Sequence, residues 1–302
     1  MNTIKNAAVL GYGNVGKILS ITLDSLGMLS NVISKSASKD ENIKAEFIDD
    51  INKIKVIPNA LIISVLDRYI EEKATEIANK LGNKLKGVYV FHLSGTLKHN
   101  VLDKCREYGA VTASIHPFQT FFNPYGVNTL EFAKSTLNNT AWSIELPQDI
   151  NNDETKETIS NFIKTIYGNP IYISDKTIKN KSIYHAAAVA ASNYSAMVLN
   201  LSYKLAKAAD IQPEIYLPKI INTSINNNFT ALKNDKTALT GPIVRGDYDI
   251  LKQHIDDLKD NKHLRKSYCY FGLALLEMAK DENLIESSKS EQIEKLLKEG
   301  IK

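Results

Sequence analysis

The sequence predicts an α/β protein, with a doubly wound sheet over residues 1–174 followed by an all-α domain over 175–302. Three observations carry that prediction. Short apolar runs alternate with amphipathic segments through the first half, the pattern of βαβ units feeding a parallel sheet. A glycine-rich turn, Gly11-Tyr12-Gly13-Asn14-Val15-Gly16, separates the first apolar run from the first amphipathic one. After Ser174 only helical periodicity remains, which sets the expected boundary there.

Residues 7–10 read as the first strand, and 14–26 as a helix because Val15, Ile18, Leu19, Thr22, Leu23 and Leu26 share one face. Residues 31–34 form the second strand. The runs 60–66 (ALIISVL) and 87–93 (GVYVFHL) are apolar without interruption, as strands covered on both faces must be. Between them 69–81 fits a helix, 97–108 another, and 111–115 a further strand. Residues 118–139, rich in Asn, Pro, Gly and Thr, read as a loop long enough to suggest function. Strand 140–145, helix 154–167 and strand 170–173 complete the sheet. The second half reads as one long helical stretch, 175–208, then helices near 214–232, 248–258 and 264–281.

Lys and Arg number 37 against 34 Asp and Glu, a net charge of +3 with the signs interspersed. Without a basic stripe to track phosphates, nucleic acid is not expected as a partner; a small-molecule substrate is. Cys105 and Cys269 are too few for a disulfide framework and lack zinc or redox spacing, so no metal is expected and the cytoplasm is the expected compartment. The glycine turn begins at Gly11, where a leader would need continuous hydrophobe. The most apolar later stretch, 185–199, carries His185, Ser192, Asn193, Tyr194 and Ser195 and is shorter than the roughly 20 residues a bilayer span needs, so no membrane partner is expected.

Strand, Gly-x-Gly-x-x-Gly, helix is the arrangement that cradles a dinucleotide, the Rossmann pattern. Gly11 permits the tight turn, Gly13 lets a pyrophosphate approach the backbone, and Gly16 lets the helix pack on the strand; Asn14 and Val15 open the helix whose N-terminus faces the phosphates. An NAD site usually adds Asp or Glu about 20 residues on, for the ribose 2′-hydroxyl. Here the run is Ser34-Lys35-Ser36, a cation between two hydroxyls that suits a 2′-phosphate. NADP is therefore expected ahead of NAD; a solvated loop charge is the other reading of Lys35. Val65 and Leu66 close one strand and Ser94 follows the next, at the carboxyl ends where such sheets bind ligands. Ser94 suits a helix N-cap equally well.

Outside the turn, His116 follows strand 111–115, a place for a proton donor or ligand anchor beside a pocket wall of the aromatic pair Phe121 and Phe122; a structural histidine is the alternative. Lys181, His185 and Ser192 fall on one stripe of an Ala-rich helix, where polar groups demand partners, structural or catalytic. Arg245, in the turn-rich run ALTGPIVRGD, suits a bidentate grip on a carboxylate or phosphate, while Asp247 reads first as an N-cap. Leu199, Leu201, Leu205, Ile220, Ile221, Leu273 and Leu276 are more apolar surface than one helical layer covers, so a homodimer is expected.

The set GYGNVG, HLSG, HPFQTF, YHAAAVAASNY and ALTGPIVRGD resembles, over nearly the whole chain, the Rossmann-like proteins with a C-terminal helical domain of unknown function, often labelled NADP oxidoreductases of the deazaflavin-dependent type. More distantly it resembles pyrroline-5-carboxylate reductases, ketopantoate reductases and β-hydroxyacid dehydrogenases. The resemblance implies a nucleotide domain, a helical domain that commonly dimerises, and an active site in the cleft between them. In the β-hydroxyacid dehydrogenase branch the first long helix carries a catalytic Lys with an Asn four residues on; this chain has Lys181 with His185 instead. The resulting expectation is an NADP-dependent oxidoreductase acting on a small polar metabolite, with His116, Lys181 or His185 as proton donor and Arg245 as anchor. A non-catalytic, nucleotide-sensing protein and a transferase with another adenine cofactor are the rival readings.

Overall fold

In the computed structural model, which describes residues 3–302 apart from Ser38, Tyr125, Val127 and Asn128, eight strands hydrogen-bond into one sheet. They are β1 (Ala7–Leu10), β2 (Leu29–Ile33), β3 (Glu46–Ile48), β4 (Ala60–Ile63), β5 (Tyr89–His92), β6 (Val111–Pro117), β7 (Ala141–Glu145) and β8 (Asn169–Tyr172), in the order β3-β2-β1-β4-β5-β6-β7-β8. The chain direction across the sheet reverses between β1 and β4, which makes the crevice beyond their carboxyl ends the natural ligand position. The helices α1 (Asn14–Ser25), α2 (Ile70–Leu81), α3 (Asp103–Glu107), α4 (Leu130–Leu137) and α5 (Asp153–Thr165) divide between the two faces. Because side chains alternate along a strand, Ala7 and Val9 pack with α1, α4 and α5, while Ala8 and Leu10 pack with α2 and α3. Both faces are dry, which is why β1, β4 and β5 read as unbroken apolar runs.

One strand pair departs from the parallel pattern. β7 runs antiparallel to β6, with Ser114 opposite Glu145 and His116 opposite Ser143. The connection from β6 returns to the same edge of the sheet through α4, so no crossover forms. That helix corrects the expectation of a loop over 118–139: Thr129 caps it by accepting the Phe132 N–H; Tyr125, Val127 and Asn128 of the expected loop lie outside the described residues. The sequence reading also overlooked β3, whose three residues are too few for a periodic signal. The helix expected over 97–108 is a 3₁₀ turn, His99–Leu102, leading into the short α3.

The chain divides into two compact units, Met1–Ser192 and Asn193–Lys302. The first also holds α6 (Asp175–Lys179) and α7 (Lys181–Val189), so the helical stretch expected from 175 is interrupted at Asn180 and again by a π-helical turn, Ala190–Tyr194. The second holds α8 (Ser195–Ala208), α9 (Pro213–Leu232), α10 (Pro242–Arg245), α11 (Tyr248–Asp257), α12 (Lys262–Asp281) and α13 (Ser287–Ile301). Its core joins Ile243, Leu251, Ile255, Cys269, Leu276, Ile293 and Leu297. Leu276, expected on the dimer face, is therefore interior, packed within this core. α8 and α9 are different: among their residues only Ala206 and Pro213 are buried.

Candidate functional site

The glycine turn leaves β1 at the reversal point. Gly11 has φ +104°, and a Cβ there would lie 2.2 Å from the Ser64 carbonyl oxygen. A Cβ on Gly16 would lie 2.1 Å from the Gly11 carbonyl oxygen. Both positions are closed to any side chain by their own backbone neighbours. Gly13 is the opposite case: it is the exposed N-cap of α1, with no side-chain cap, and a Cβ there would meet nothing within 4 Å. The first-turn N–H groups at Asn14 and Val15 thus border open space, as an anion cradle requires. The Val15 side chain itself packs on the sheet core.

Beside the turn opens a cleft of about 400 Å³. Gly11, Tyr12, Ser34, Lys35, Ser36 and Val65 line it, whereas Leu66 is an exposed neighbour outside its lining. The Ser34 hydroxyl accepts the Ala37 N–H at 3.1 Å and shapes the loop that carries Lys35. Asp49 and Asp50, just past β3, also reach the cleft wall and escaped the sequence reading because β3 did. Both are engaged: Asp50 with the Lys80 ammonium at 2.8 Å and Asp49 with Lys53 at 2.6 Å. Those cations hold the two carboxyls below their ordinary range. Tyr12 spans to the far side of the loop, its hydroxyl donating to Asp40 at 2.7 Å.

Ser94 turns out to be a turn residue. Buried, it donates its hydroxyl to Asp67 at 2.6 Å and accepts the Thr96 and Leu97 N–H groups at 3.1 and 3.0 Å, so its oxygen is fully used within the protein. Behind it, His92 accepts the Ser94 N–H on Nδ1 at 3.2 Å, leaving Nε2 to donate to the Lys98 carbonyl at 3.2 Å. Burial pulls the His92 pKa down to about 3.

A second cluster forms where β5, β6, β7 and α7 meet. His116 and His185 come together with ring centroids 6.1 Å apart. His116 Nδ1 is 2.6 Å from the Tyr184 hydroxyl, which is also 2.7 Å from Ser143 Oγ. Phe118 closes one side, edge-on to Tyr184 at 5.2 Å. Gly95 closes another: a Cβ there would lie 2.7 Å from His185 Nδ1 and 2.8 Å from His116 Nε2. His185 Nδ1 is buried without a hydrogen-bond partner, an unmet capacity that asks for a ligand. Burial first, then His185 and Lys181, lower the His116 pKa to about 4, so its imidazole is neutral near pH 7. Burial raises the Tyr184 hydroxyl, which keeps its proton.

Lys181 lies deeper. Its ammonium pairs with Glu145 at 2.7 Å, donates to Ser114 Oγ at 2.9 Å, and donates to the Leu97 carbonyl. Two hydrogen bonds and one close ion pair thus engage it, in a pair whose side chains are 4% and 1% exposed. Arg245 belongs to the other unit; its exposed guanidinium pairs with Asp247 at 2.8 Å. Asp247 stands at the N-cap position of α11 as expected, but its carboxylate, used in that pairing, makes no capping hydrogen bond. Tyr184, Ser143, Gly95 and Glu145 went unforeseen as site residues. Tyr184 stood in a quoted motif, but the antiparallel register that gives Ser143 and Glu145 their partners leaves no local signal.

Among the described residues, no group of three His, Cys, Asp or Glu side chains is placed to hold a metal, and no helix is long and apolar enough to cross a membrane. Residues 149–275 match a family model described as a domain of unknown function (DUF2520). No curated protein matches the sequence. Among solved structures, the chain is similar to a candidate NADP oxidoreductase of Bacteroides fragilis, at TM-score 0.70 and 18% identity over 92% of this chain and 100% of that one. It is similar to the pyrroline carboxylate reductase of Plasmodium falciparum, solved with NADP bound, at TM-score 0.57 and 12% identity over 99% and 98% of the two chains. It is also similar to a reductive aminase of Aspergillus terreus, solved with NADPH and ethyl-5-oxohexanoate, at TM-score 0.55 and 13% identity over 99% and 94%. The shared fold is that of a Rossmann sheet followed by helices.

Proposed function

We propose that this protein is an NADP-dependent oxidoreductase acting at a carbonyl or imine carbon of a small polar metabolite. The observation that carries the reading is the open backbone at Gly13, at the N-terminus of α1 and beside a cleft at the sheet's reversal point. NADP, when bound, supplies or accepts the hydride. Gly11, Gly13, Asn14, Val15 and Gly16 would hold its pyrophosphate, and Ser34, Lys35 and Ser36 its 2′-phosphate. Ser94 has no proposed part in cofactor binding, its hydroxyl being spent on Asp67 and two backbone groups. The kinship in fold with structures solved with NADP or NADPH supports the same cofactor here.

His116 is the proposed proton-handling residue. In the proposed arrangement the Tyr184 hydroxyl accepts from Ser143 and donates to His116 Nδ1, so that the neutral ring carries its own proton on Nε2, on the Gly95 side. A neutral imidazole acts there as a hydrogen-bond donor to developing negative charge. His185 is its neighbour in this role. Arg245 is retained as the proposed anchor for an anionic substrate group, which would have to displace Asp247. NADPH oxidation followed by fluorescence against a panel of 2-oxo acids, imines and other carbonyl compounds tests the reading. One panel member is expected to be turned over, and His116→Ala to lower kcat about 10²-fold or more with NADPH affinity unchanged. NADPH binding with no turnover of any member would favour the nucleotide-sensing alternative.

NADPH is expected to bind more tightly than NADH, and Lys35→Ala to narrow the gap by roughly tenfold, the scale of one charge-assisted hydrogen bond. Equal wild-type affinities at one ionic strength would remove the 2′-phosphate assignment.

We assign nucleotide binding to 1–174, and substrate binding and dimerisation to 175–302. Ile215, Tyr216, Ile220 and Phe229 on α9 are 61–68% exposed, a density of bare apolar side chains that a second copy would cover. Light scattering at micromolar concentration is expected to give twice the chain mass of 33.7 kDa; the monomer mass would sink the assignment. A cytoplasmic setting fits the two free, buried cysteines.

A further inference from the structure

The antiparallel β6–β7 pair places two polar couples on one face, two residues apart: Ser114 opposite Glu145, and His116 opposite Ser143. α7 lays one side chain on each. Lys181 bridges Ser114 and Glu145; Tyr184, three residues later, bridges His116 and Ser143. Couples two apart on a strand are separated by roughly 6.6 Å, and positions three apart on a helix rise about 4.5 Å on the same side. Two long side chains span the difference. A shift of α7 by one residue would turn both off their couples at once.

Apolar packing does little to prevent such a shift. Along α7 the only buried residue is Lys181; Tyr184 and His185 are half-buried polar rings, Ile183 is exposed, and the helix continues as Ala186-Ala187-Ala188, so no large aliphatic side chain acts as a key. Lys181 reaches three acceptors from three separate segments: Leu97 after β5, Ser114 on β6 and Glu145 on β7. Glu145 is held in turn by the His99 N–H at 3.2 Å. A buried ion pair gains little net stability over apolar residues, yet it tolerates only one geometry, and setting register is its best-attested use.

We propose that Lys181 is a positioning residue, which by seating on the Ser114–Glu145 couple sets the one register of α7 in which Tyr184 bridges Ser143 and His116. The proposal rests on the reading of His116 given above only for its kinetic consequence; the geometric claim stands apart from it. The lysine does not touch the reacting atoms. It acts through Tyr184, whose hydroxyl is the partner of His116 Nδ1.

The test replaces the pair rather than breaking it. Lys181→Met alone would leave the Glu145 carboxylate buried and unpaired, so the informative variant is Lys181→Met/Glu145→Met, which keeps volume and removes both charges. Ring-nitrogen chemical shifts of His116, from long-range ¹H–¹⁵N correlation spectra of full-length protein, report its tautomer, and Tyr184→Phe supplies the reference for a ring without its hydroxyl partner. The double variant is expected to fold, with His116 shifts moved to the Tyr184→Phe reference. Where turnover is measurable, kcat should fall on the order of 10²-fold, as for a misplacement of about 1 Å, with NADPH affinity unchanged. A folded double variant with wild-type His116 shifts overturns the proposal, because a purely stabilising lysine would leave them in place. If the double variant does not fold, Ser114→Ala replaces it, removing one contact and leaving the ion pair. His116 shifts displaced toward the reference support the proposal, and unmoved shifts overturn it. The spectra decide the matter even if the protein turns over no substrate.

Discussion

Gly13→Val is expected to fold as the wild type does and to lose NADPH binding entirely, while Gly11→Val and Gly16→Val are strongly destabilised. The three glycines share a motif but not a constraint. At Gly13 φ is −79° and a Cβ would have nothing within 4 Å of it, so a valine enters only the space proposed for the pyrophosphate. At Gly11 the same residue would need a positive φ, which costs a β-branched side chain about 1–2 kcal/mol, and would drive Cβ into the Ser64 carbonyl. At Gly16 the clash is with the Gly11 carbonyl, so α1 must leave the strand it packs on. Overpacking of a tight interior adds roughly 1–3 kcal/mol more, a large part of a typical domain's stability. Thermal melts alongside fluorescence titration separate the cases. A Gly13→Val protein that still binds NADPH with wild-type affinity would falsify the cradle.

Acid is expected to unfold this protein earlier than its carboxylates alone would. His92 and His116 have folded pKa values of about 3 and about 4, both below the ordinary 6.5, chiefly through burial. A histidine depressed in the native state is protonated first in the unfolded chain. Stability is therefore complete above about pH 6.5 and falls as pH drops from there toward 4, where the unfolded state binds up to two extra protons. The limiting slope is about 2.7 kcal/mol per pH unit, and the loss between pH 7.5 and 5 about 2–4 kcal/mol after allowing for relaxation around the rings. His99, also lowered by burial, adds in the same direction. Carboxylates contribute mainly below pH 5, since their unfolded values lie near 4. Urea unfolding at pH 7.5 and pH 5.0 measures the difference; equal stability at the two would show that these rings admit water on protonation.

The nucleotide half of the site was legible because its signals are local. A glycine every two or three residues between an apolar run and a helix fixes turn, approach and packing within six positions, and Ser34, Lys35 and Ser36 lie on the cleft where the spacing put them. The imidazole cluster was legible only in part. His116 and His185 were singled out and do meet, but Ser143 and Tyr184 lie 27 and 68 positions from His116 in sequence, brought in by a register that no periodicity encodes. Lys181 shows the limit most clearly: its position on the helix was visible, while the Glu145 that occupies it sits in a five-residue strand whose neighbour runs the opposite way. Arg245 and Asp247, two residues apart, were readable as polar loop residues but not as each other's partner.

The antiparallel β6–β7 pair has a consequence in time. Glu145 is made before its counter-charge, and at about 5–20 residues per second the 36 residues up to Lys181 take roughly 2–7 s to synthesise. Until α7 docks, Glu145 has no lysine partner and must stay hydrated or protonated. The Lys181–Ser114 contact spans 67 residues and Tyr184–His116 spans 68, so both wait on closure of long loops. α7 is made more than 100 residues after β1 and β4, so the imidazole cluster is expected to close after the strands that carry the nucleotide cradle are already made, when α7 docks and water leaves Glu145.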